Sequence, residues 1–534
     1  MNRSGYSIIT IATLMLVGSL AYSGGNRESR LRAPKPAPQT LAQGAARTAH
    51  EVRIWREANE TRVIDELRAF LSIPNFASDT ANIQRNADKL EDMLKARGFE
   101  TELLRITNRG PVVFGKLEVP GAERTIIFYM HYDGQSVDPA TWTGTRPYEP
   151  ALRNAPLELN GDIISFPEGS ERYQDDWRLY ARSAADDKSP IIALLAAIDA
   201  LRAQKIPLGV NVKVVFDGEE EGGSPNLERT FMAHRDLFSG DLLINGDGPV
   251  HQSGRMMVTF GNRGIVSAQI TVYGPLRPLH SGHYGNWAPN PAMRLAQLLA
   301  TMKDDNGNVR IKEFYDGIAS LGSTEQEALK EMPNNDAELE KEFAIAEPDG
   351  AGKRLVELLT QPSLNVDGLR SADVDDQSRT VIPDQATAAI DMRLVKNITP
   401  QMQFDRLVAH IRAQGYFVTA EEPTENARRT HAKVARVVMS KGAYPASMTS
   451  MDLPVSKALA DVVDAAAGGG LVKTPILGGS VPMYIFENLK LPVIGVPIVN
   501  YDDNQHSPNE NLRIGHFWRG IEVYAAILAN LKWE

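Results

Sequence analysis

The apolar run TIIFYM (residues 125–130) ends in His131-Tyr132-Asp133. A second run, VNVKVVF (210–216), ends in Asp217-Gly218-Glu219-Glu220-Glu221, and a third, DLLIN (241–245), in Gly246-Asp247. PVIGVPIV (492–499) is followed after a short loop by His506, and Asp186-Asp187 stand just before an apolar stretch starting at residue 190. Imidazoles and carboxylates ligate divalent cations and move protons near neutral pH. Each segment alone has a bland explanation: a structural histidine, a solvated acidic face, an aspartate capping a helix. Their conjunction does not, because like charges gathered in a half-buried cleft repel unless a cation compensates them. Mixed His, Asp and Glu donors suit zinc, with cobalt or manganese as alternatives. Two histidines and three carboxylates are more than one tetrahedral zinc takes, and they fit two ions sharing a carboxylate. The spacing of His131 and Asp133 fits the same chemistry. Residues i and i+2 of a strand face one side, so Asp133 can accept a hydrogen bond from the ring nitrogen that does not ligate.

The elements that must position these groups alternate along the chain. Strands are expected at 112–119, 125–130, 210–216, 241–246 and 492–499, and helices at 86–98, 190–204 and 516–532, with helical spacing of apolar residues also from about residue 51. Continuous apolar strands between amphipathic helices predict an α/β fold with a mostly parallel sheet covered by helices on both faces. In such sheets ligands bind at the carboxyl ends of the strands, where all five segments place their polar residues. The middle of the chain differs. A half-exposed strand (264–274), a helix (290–303), strands near 363–369 and 384–395, a helix (399–415) and a strand (434–442) spell β-α-β-β-α-β, a ferredoxin-like module. It carries a polar, partly helical insertion at about 304–362. The domain plan is one α/β domain at 49–263 and 444–534, interrupted by a smaller α+β domain at 264–443.

The chain has 534 residues, 43% hydrophobic and 23% charged, with net charge −10 and no cysteine. Disulfides, thiolate metal sites and cysteine nucleophiles are thereby excluded. The acidic balance disfavours a nucleic-acid partner. No G-x-S-x-G elbow occurs, which argues against a serine hydrolase. Residues 1–23 read as a secretory signal, with Arg3, an apolar stretch from Ile8 to Ala21 and the small-x-small site Ala21-Tyr22-Ser23. That implies export to the periplasm or medium, with no stable membrane insertion once the signal is cleaved; an uncleaved anchor is the alternative. Residues 24–48, with three prolines, read as a flexible linker.

The ordered motifs HYD (131–133), ADDK (185–188), GEEEGGS (218–224), GDG (246–248), LHSGHYG (279–285), IDMRLV (390–395), GGS (478–480) and HSPNE (506–510) resemble the co-catalytic zinc peptidases. That family includes carnosinase, aminoacylase and glutamate carboxypeptidase. The long lid insertion and the phrase RLVKNITP resemble its carnosinase-like dipeptidase branch. The resemblance spans about residues 50–534. It implies two zinc ions, one held by His131 and Asp247, the other by Glu221 and His506, with Asp186 bridging and a cis peptide following it. It implies Glu220 as general base toward water and Asp133 as the group holding His131, with Glu219 leaving a one-residue slip of that assignment open. It implies that His280, in the lid, crosses to the partner's active site of a homodimer and stabilises the oxyanion, and that Arg393, Gly479 and Ser480 bind the substrate's carboxylate. The ordinary alternatives at these positions are a surface histidine, a lid salt bridge and a loop turn. The implied activity is cleavage of the amide bond of dipeptides or short peptides with a free C-terminal carboxylate. N-acyl-amino-acid deacylation is the alternative on the same scaffold, and a non-catalytic binding protein the remote one. Two departures stand out. Ala181-Arg182-Ser183 replaces the family's usual Gly-x-Gly, and Ser189-Pro190 replaces the glycine after the lysine.

Overall fold

The structure is a computed structural model that describes residues 40–534. The expected signal at 1–23 and most of the expected linker lie outside the described residues. The remainder of that linker is not extended. Thr40 caps a helix, Leu41–Glu57, through a capping box with Gln43. Gly44, Ala45, Thr48, Ala49 and Val52 are buried on it. Small side chains let it lie close against the last helix, Ile514–Asn530: a Cβ on Gly44 would come within 2.7 Å of Asn530 Oδ1. Such close packing leaves no strong hydrophobic period to read.

The larger sheet has eight strands in the order Glu100–Leu104, Val112–Leu117, Asn211–Asp217, Thr125–His131, Leu242–Asn245, Val493–Gly495, Met257–Thr259, Val472–Thr474. The central four run parallel, as does the last pair at the edge. Both faces are buried, and strand alternation sorts them. Ile126, Phe128 and Met130 belong to the larger core with helices Glu60–Leu71, Lys188–Ala203, Pro454–Ala467 and Ile514–Asn530. Ile127 and Tyr129 face a second core with Phe231, Phe238 and Phe486. The α/β class and two-sided cover expected from the sequence are therefore present. The helix Lys188–Ala203 is buried along nearly its whole length, and Pro190 falls in its first turn, where a missing N–H costs little. The strand expected at 492–499 is shorter, Val493–Gly495, because Pro497 has no N–H to give a ladder.

The segment 264–443 follows the expected β-α-β-β-α-β order. Its sheet runs Ser363–Arg370, Gln385–Leu394, Gly264–Tyr273, Val434–Met439, the ferredoxin-like arrangement, with Phe417–Thr419 added at the edge. Val266, Ala268, Ile270 and Val272 pack against Leu295 and Leu298 of helix Pro291–Ala300 and Leu407 and Ile411 of helix Pro400–Ala413. The insertion is partly helical, at Ser323–Glu331, Asp336–Glu342 and Leu355–Leu358, and Met332 packs on Met257 and Val472 at the edge of the large sheet.

The chain crosses between the two sheets twice, side by side. Gly261–Asn262 pairs antiparallel with Ser447–Met448, and Ile265 and Tyr444 exchange backbone hydrogen bonds of 2.9 and 3.0 Å. Gly264 is forced by this contact: a Cβ there would lie 2.5 Å from the backbone of Tyr444, Pro445 and Ala446. Gly264→Ala is expected to destabilise the protein by ~1–3 kcal/mol through overpacking against backbone that cannot rotate away. Urea denaturation of the two proteins, compared at equal m-value, measures this.

Candidate metal centre and active site

The large sheet delivers its strand ends to one rim. His131 closes the strand Thr125–His131, and Asp217 the neighbouring strand Asn211–Asp217 in register with it. Asp247 follows Leu242–Asn245 by two residues. Two further segments reach this rim through a small four-stranded sheet with the order Asn511–Arg513, Arg178–Tyr180, Ala151–Arg153, Ile163–Ile164. Asn511 pairs with Tyr180, which lays the loop before Asn511, carrying His506, beside the loop after Tyr180, carrying Asp186. Strands of two or three residues have no readable period, so this sheet was not foreseen from sequence.

All five expected ligands converge. The donor atoms of His131, Asp186 and Asp247 lie within 4.8 Å of one another, as do those of Asp186, Glu221 and His506. Asp186 is common to both groups. Its Oδ1 lies 2.7 Å from His131 Nε2, and its Oδ2 3.0 Å from His506 Nε2. His506 Nε2 is also 3.1 Å from Glu221 Oε2. The peptide Asp186–Asp187 is cis. The donor set is hard and borderline, suited to a divalent cation, and Asp186 turns one oxygen toward each group. The residues present therefore fit two cations sharing one carboxylate.

Electrostatics points the same way. Burial and then the nearby Asp186 push Asp247 up to about 7. Burial raises Glu220 well above the usual carboxylate range, and Asp247, Asp133 and Asp186 add to this against His131. Burial would raise Asp186 as well, but hydrogen bonds from His131 and His506 outweigh it and hold this carboxyl below its usual range. Hydrogen bonds to Asp186 and Glu221 lift His506 to about 11. A cation bound by this set would displace the protons that these shifts favour.

The supporting groups are ordered by backbone amides. Asp133 is fully buried. His131 Nδ1 lies 3.2 Å from the Asp133 backbone carbonyl and 3.4 Å from its Oδ1, and the carboxylate accepts the N–H of Glu220 at 3.0 Å and of Glu221 at 3.1 Å. One aspartate thus holds both the imidazole and the turn bearing the two glutamates. Glu219 points elsewhere: it accepts from Asn226 Nδ2 at 2.7 Å and is absent from both donor groups. Gln135 donates to Glu221 Oε2 at 2.8 Å, and Gln505 to Asp186 Oδ2 at 3.2 Å.

Arg393 and Ser480 meet, with the guanidinium Nη1 donating to Ser480 Oγ at 2.7 Å. Arg393 Nε also donates to Asp391 at 3.0 Å. Gly479 accepts the N–H of Arg263 through its carbonyl at 3.2 Å, and a Cβ added to Gly479 would meet nothing within 4 Å. Leu359 of the insertion touches the neighbouring Gly478, 3.1 Å from where its Cβ would stand. His280 is not brought to the metal ligands within the chain. It is exposed on the lid, where Nδ1 accepts the N–H of Gly282 at 3.1 Å and its ring lies 4.4 Å from that of His283.

Sequence reasoning missed the residues that lace the loops together. Glu510 is fully buried and accepts from Arg182 Nη1 at 2.7 Å. Asn75 bridges Tyr132 O and Ser183 Oγ, each at 2.8 Å. Ser183, in place of the expected glycine, adopts φ 62°, a region that favours glycine. The departure at Ala181-Arg182-Ser183 thus supplies Glu510's charge partner. The motif HSPNE contained Glu510, but only the small sheet reveals what it faces.

The profile of Peptidase family M20/M25/M40 matches residues 127–530. The chain is similar to the mouse Beta-Ala-His dipeptidase, at 26% identity over 435 residues, covering 79% of this chain and 80% of the relative. It is similar to the Cys-Gly metallodipeptidase dug1 of Schizosaccharomyces pombe, at 27% over 430 residues, covering 79% and 83%. Among solved structures, the M20 family metallo-carboxypeptidase Sso-CP2 of Sulfolobus solfataricus superposes with TM-score 0.71 at 27% identity, over 88% of this chain and 98% of that one. Human carnosine dipeptidase 1 shares the fold, with TM-score 0.70 at 21% identity over 93% and 99%. A profile match over most of the described chain, on a scaffold shared nearly end to end with solved relatives, places this protein in peptidase family M20/M25/M40 as a hydrolase of the metallopeptidase type.

Proposed function

We propose that this protein is an exported di-zinc dipeptidase that removes or separates amino acids from substrates with a free C-terminal carboxylate. The observation that carries this reading is the pair of three-residue donor groups sharing Asp186. His131 and Asp247 would hold one ion, Glu221 and His506 the other, and Asp186 would serve both. When bound, the ions polarise the scissile carbonyl and make water more acidic. Glu220 takes the proton from the attacking water and passes it to the leaving amine. Its N–H is fixed by Asp133, so the base and the imidazole of His131 are held by the same residue.

Arg393 receives the substrate's carboxylate, because a planar guanidinium can bind it through two parallel N–H bonds. Ser480 Oγ, already on that guanidinium, adds a hydroxyl, and Gly479 lets the carboxylate approach the backbone. These contacts orient the amide toward the metals. His280 of the partner subunit completes the oxyanion site in a homodimer formed through the lids; the exposure of His280 in the single chain supports that role. The N-terminal signal read at 1–23 supports export. Among the described residues no helix is long and apolar enough to cross a membrane.

Glu220→Gln is expected to keep its metal content while the rate falls by about 10²–10⁴-fold. Metal analysis together with hydrolysis of a panel of dipeptides and N-acyl amino acids tests this; a variant as active as wild type refutes the base. If N-acyl amino acids alone are hydrolysed, the dipeptidase reading gives way to a deacylase. Gly479→Ala is expected to leave the unfolding midpoint unchanged, since its Cβ has free space, and to raise KM with little change in kcat. Zinc binding to the stripped protein at pH 7 is expected to release protons. Ligation needs His506 neutral and Asp247 ionised, and in the bare protein these groups sit at about 11 and about 7. Calorimetry in buffers of different ionisation enthalpy reads the sign; proton uptake contradicts it.

A further inference from the structure

Glu510 stands out among the buried carboxylates outside the two donor groups. It is 0% exposed, and both oxygens are fully engaged by one short segment. Oε2 accepts from Arg182 Nη1 at 2.7 Å and from the N–H of Ser183 at 3.0 Å. Oε1 accepts from the N–H of Ala185 at 2.9 Å and of Asp186 at 3.0 Å. Two contacts run beside these: Ala181 N–H donates to the Glu510 carbonyl at 3.2 Å, and Arg182 Nη2 donates to the Ser507 carbonyl at 3.2 Å. The loop that ends in Asp186 is therefore wrapped around the side chain that closes the loop carrying His506.

We infer that Glu510 is a positioning residue that locks these two loops into one unit and so sets the affinity of both metal positions. The inference rests on the metal reading proposed above. Asp186 must present one oxygen to each group, and a shared ligand tolerates little drift before one contact is lost. Three backbone N–H groups fixed on one buried anion leave this segment little freedom. Glu510 also ties it to His506, four residues earlier in the chain, so the bridging ligand and one terminal ligand move together. Groups that orient metal ligands typically contribute about 10–100-fold in metal affinity.

A purely structural role is the competing explanation, and the protein carries its own control. Glu522 is also buried, at 3% exposure, and is paired with Arg53 and Arg56 at 2.7 and 3.4 Å. It belongs to neither donor group. The experiment is a competition titration of chelator-stripped full-length protein with zinc, followed by calorimetry, on wild type, Glu510→Gln and Glu522→Gln, with thermal unfolding of each. Glu510→Gln keeps the shape but turns one acceptor into a donor facing N–H groups. It is expected to weaken zinc binding by about 10–100-fold, while Glu522→Gln lowers the melting temperature and leaves zinc affinity unchanged. Arg182→Lys serves if Glu510→Gln does not fold. It keeps the charge but loses the second N–H arm to Ser507, and a smaller weakening of the same kind is expected. Wild-type affinity in Glu510→Gln, or in Arg182→Lys where that variant stands in, overturns the inference, as does equal weakening by Glu522→Gln. Wild type that takes up no zinc refutes the metal reading beneath it instead.

Discussion

The constraint on which this structure turns is the crowding of negative charge at one end of a sheet. Asp133, Asp186, Asp187, Asp217, Glu219 and Glu510 are all buried there, beside Glu220, Glu221 and Asp247. In a medium that solvates charge poorly, such a cluster is stable only if each carboxylate is answered. Two kinds of answer are visible. Several carboxylates outside the donor groups receive backbone amides: Asp133 from Glu220 and Glu221, Asp187 from His131, Glu510 from Ser183, Ala185 and Asp186. In the donor groups Asp186 and Glu221 receive imidazoles and side-chain amides instead. The amides are fixed dipoles built by the fold, so the protein spends them on scaffolding anions and leaves the cluster itself for cations.

The fold supplies those dipoles cheaply. Parallel strands stop at one rim, and the loops that follow expose N–H groups there without breaking a ladder. The small four-stranded sheet adds what the large one cannot, bringing residues more than three hundred positions apart, such as Arg182 and Glu510, to 2.7 Å. Relatives at 26–27% identity match most of this length.

Much of this was legible in the sequence because strand ends are legible. A buried run that stops at a polar residue marks both the element and the rim, and the five expected ligands fell together for that reason. The lid's order was readable because its strands and helices are long enough to show a period. What stayed hidden depends on contacts between short or unremarkable segments. The helix Leu41–Glu57 presents glycine and alanine in the turns before residue 51, where a hydrophobic stripe would have announced it. Glu510 lies against a strand of three residues. Arg182 and Ser183 looked like departures from a glycine pattern, and only their partners show that the loop is held by charge and hydrogen bonds instead. The distinction between Glu219 and its two neighbours depends on which way a turn faces, and spacing carries no such information.

The double crossing at Gly261–Asn262 and Ser447–Met448 has a consequence for how such proteins diversify. The ends of the lid leave and re-enter the larger domain as neighbouring strands of a single ribbon. A segment with adjoining ends can be exchanged, enlarged or removed while the flanking chain stays in register, since a tight turn spans the gap between paired strands. The lid is in this sense a cassette plugged into one socket. The polar insertion at 304–362 is a second cassette nested within the first, and it returns through Leu359 to the edge of the glycine loop. What the socket holds can thus be replaced while the buried carboxylates and their amide donors stay in place.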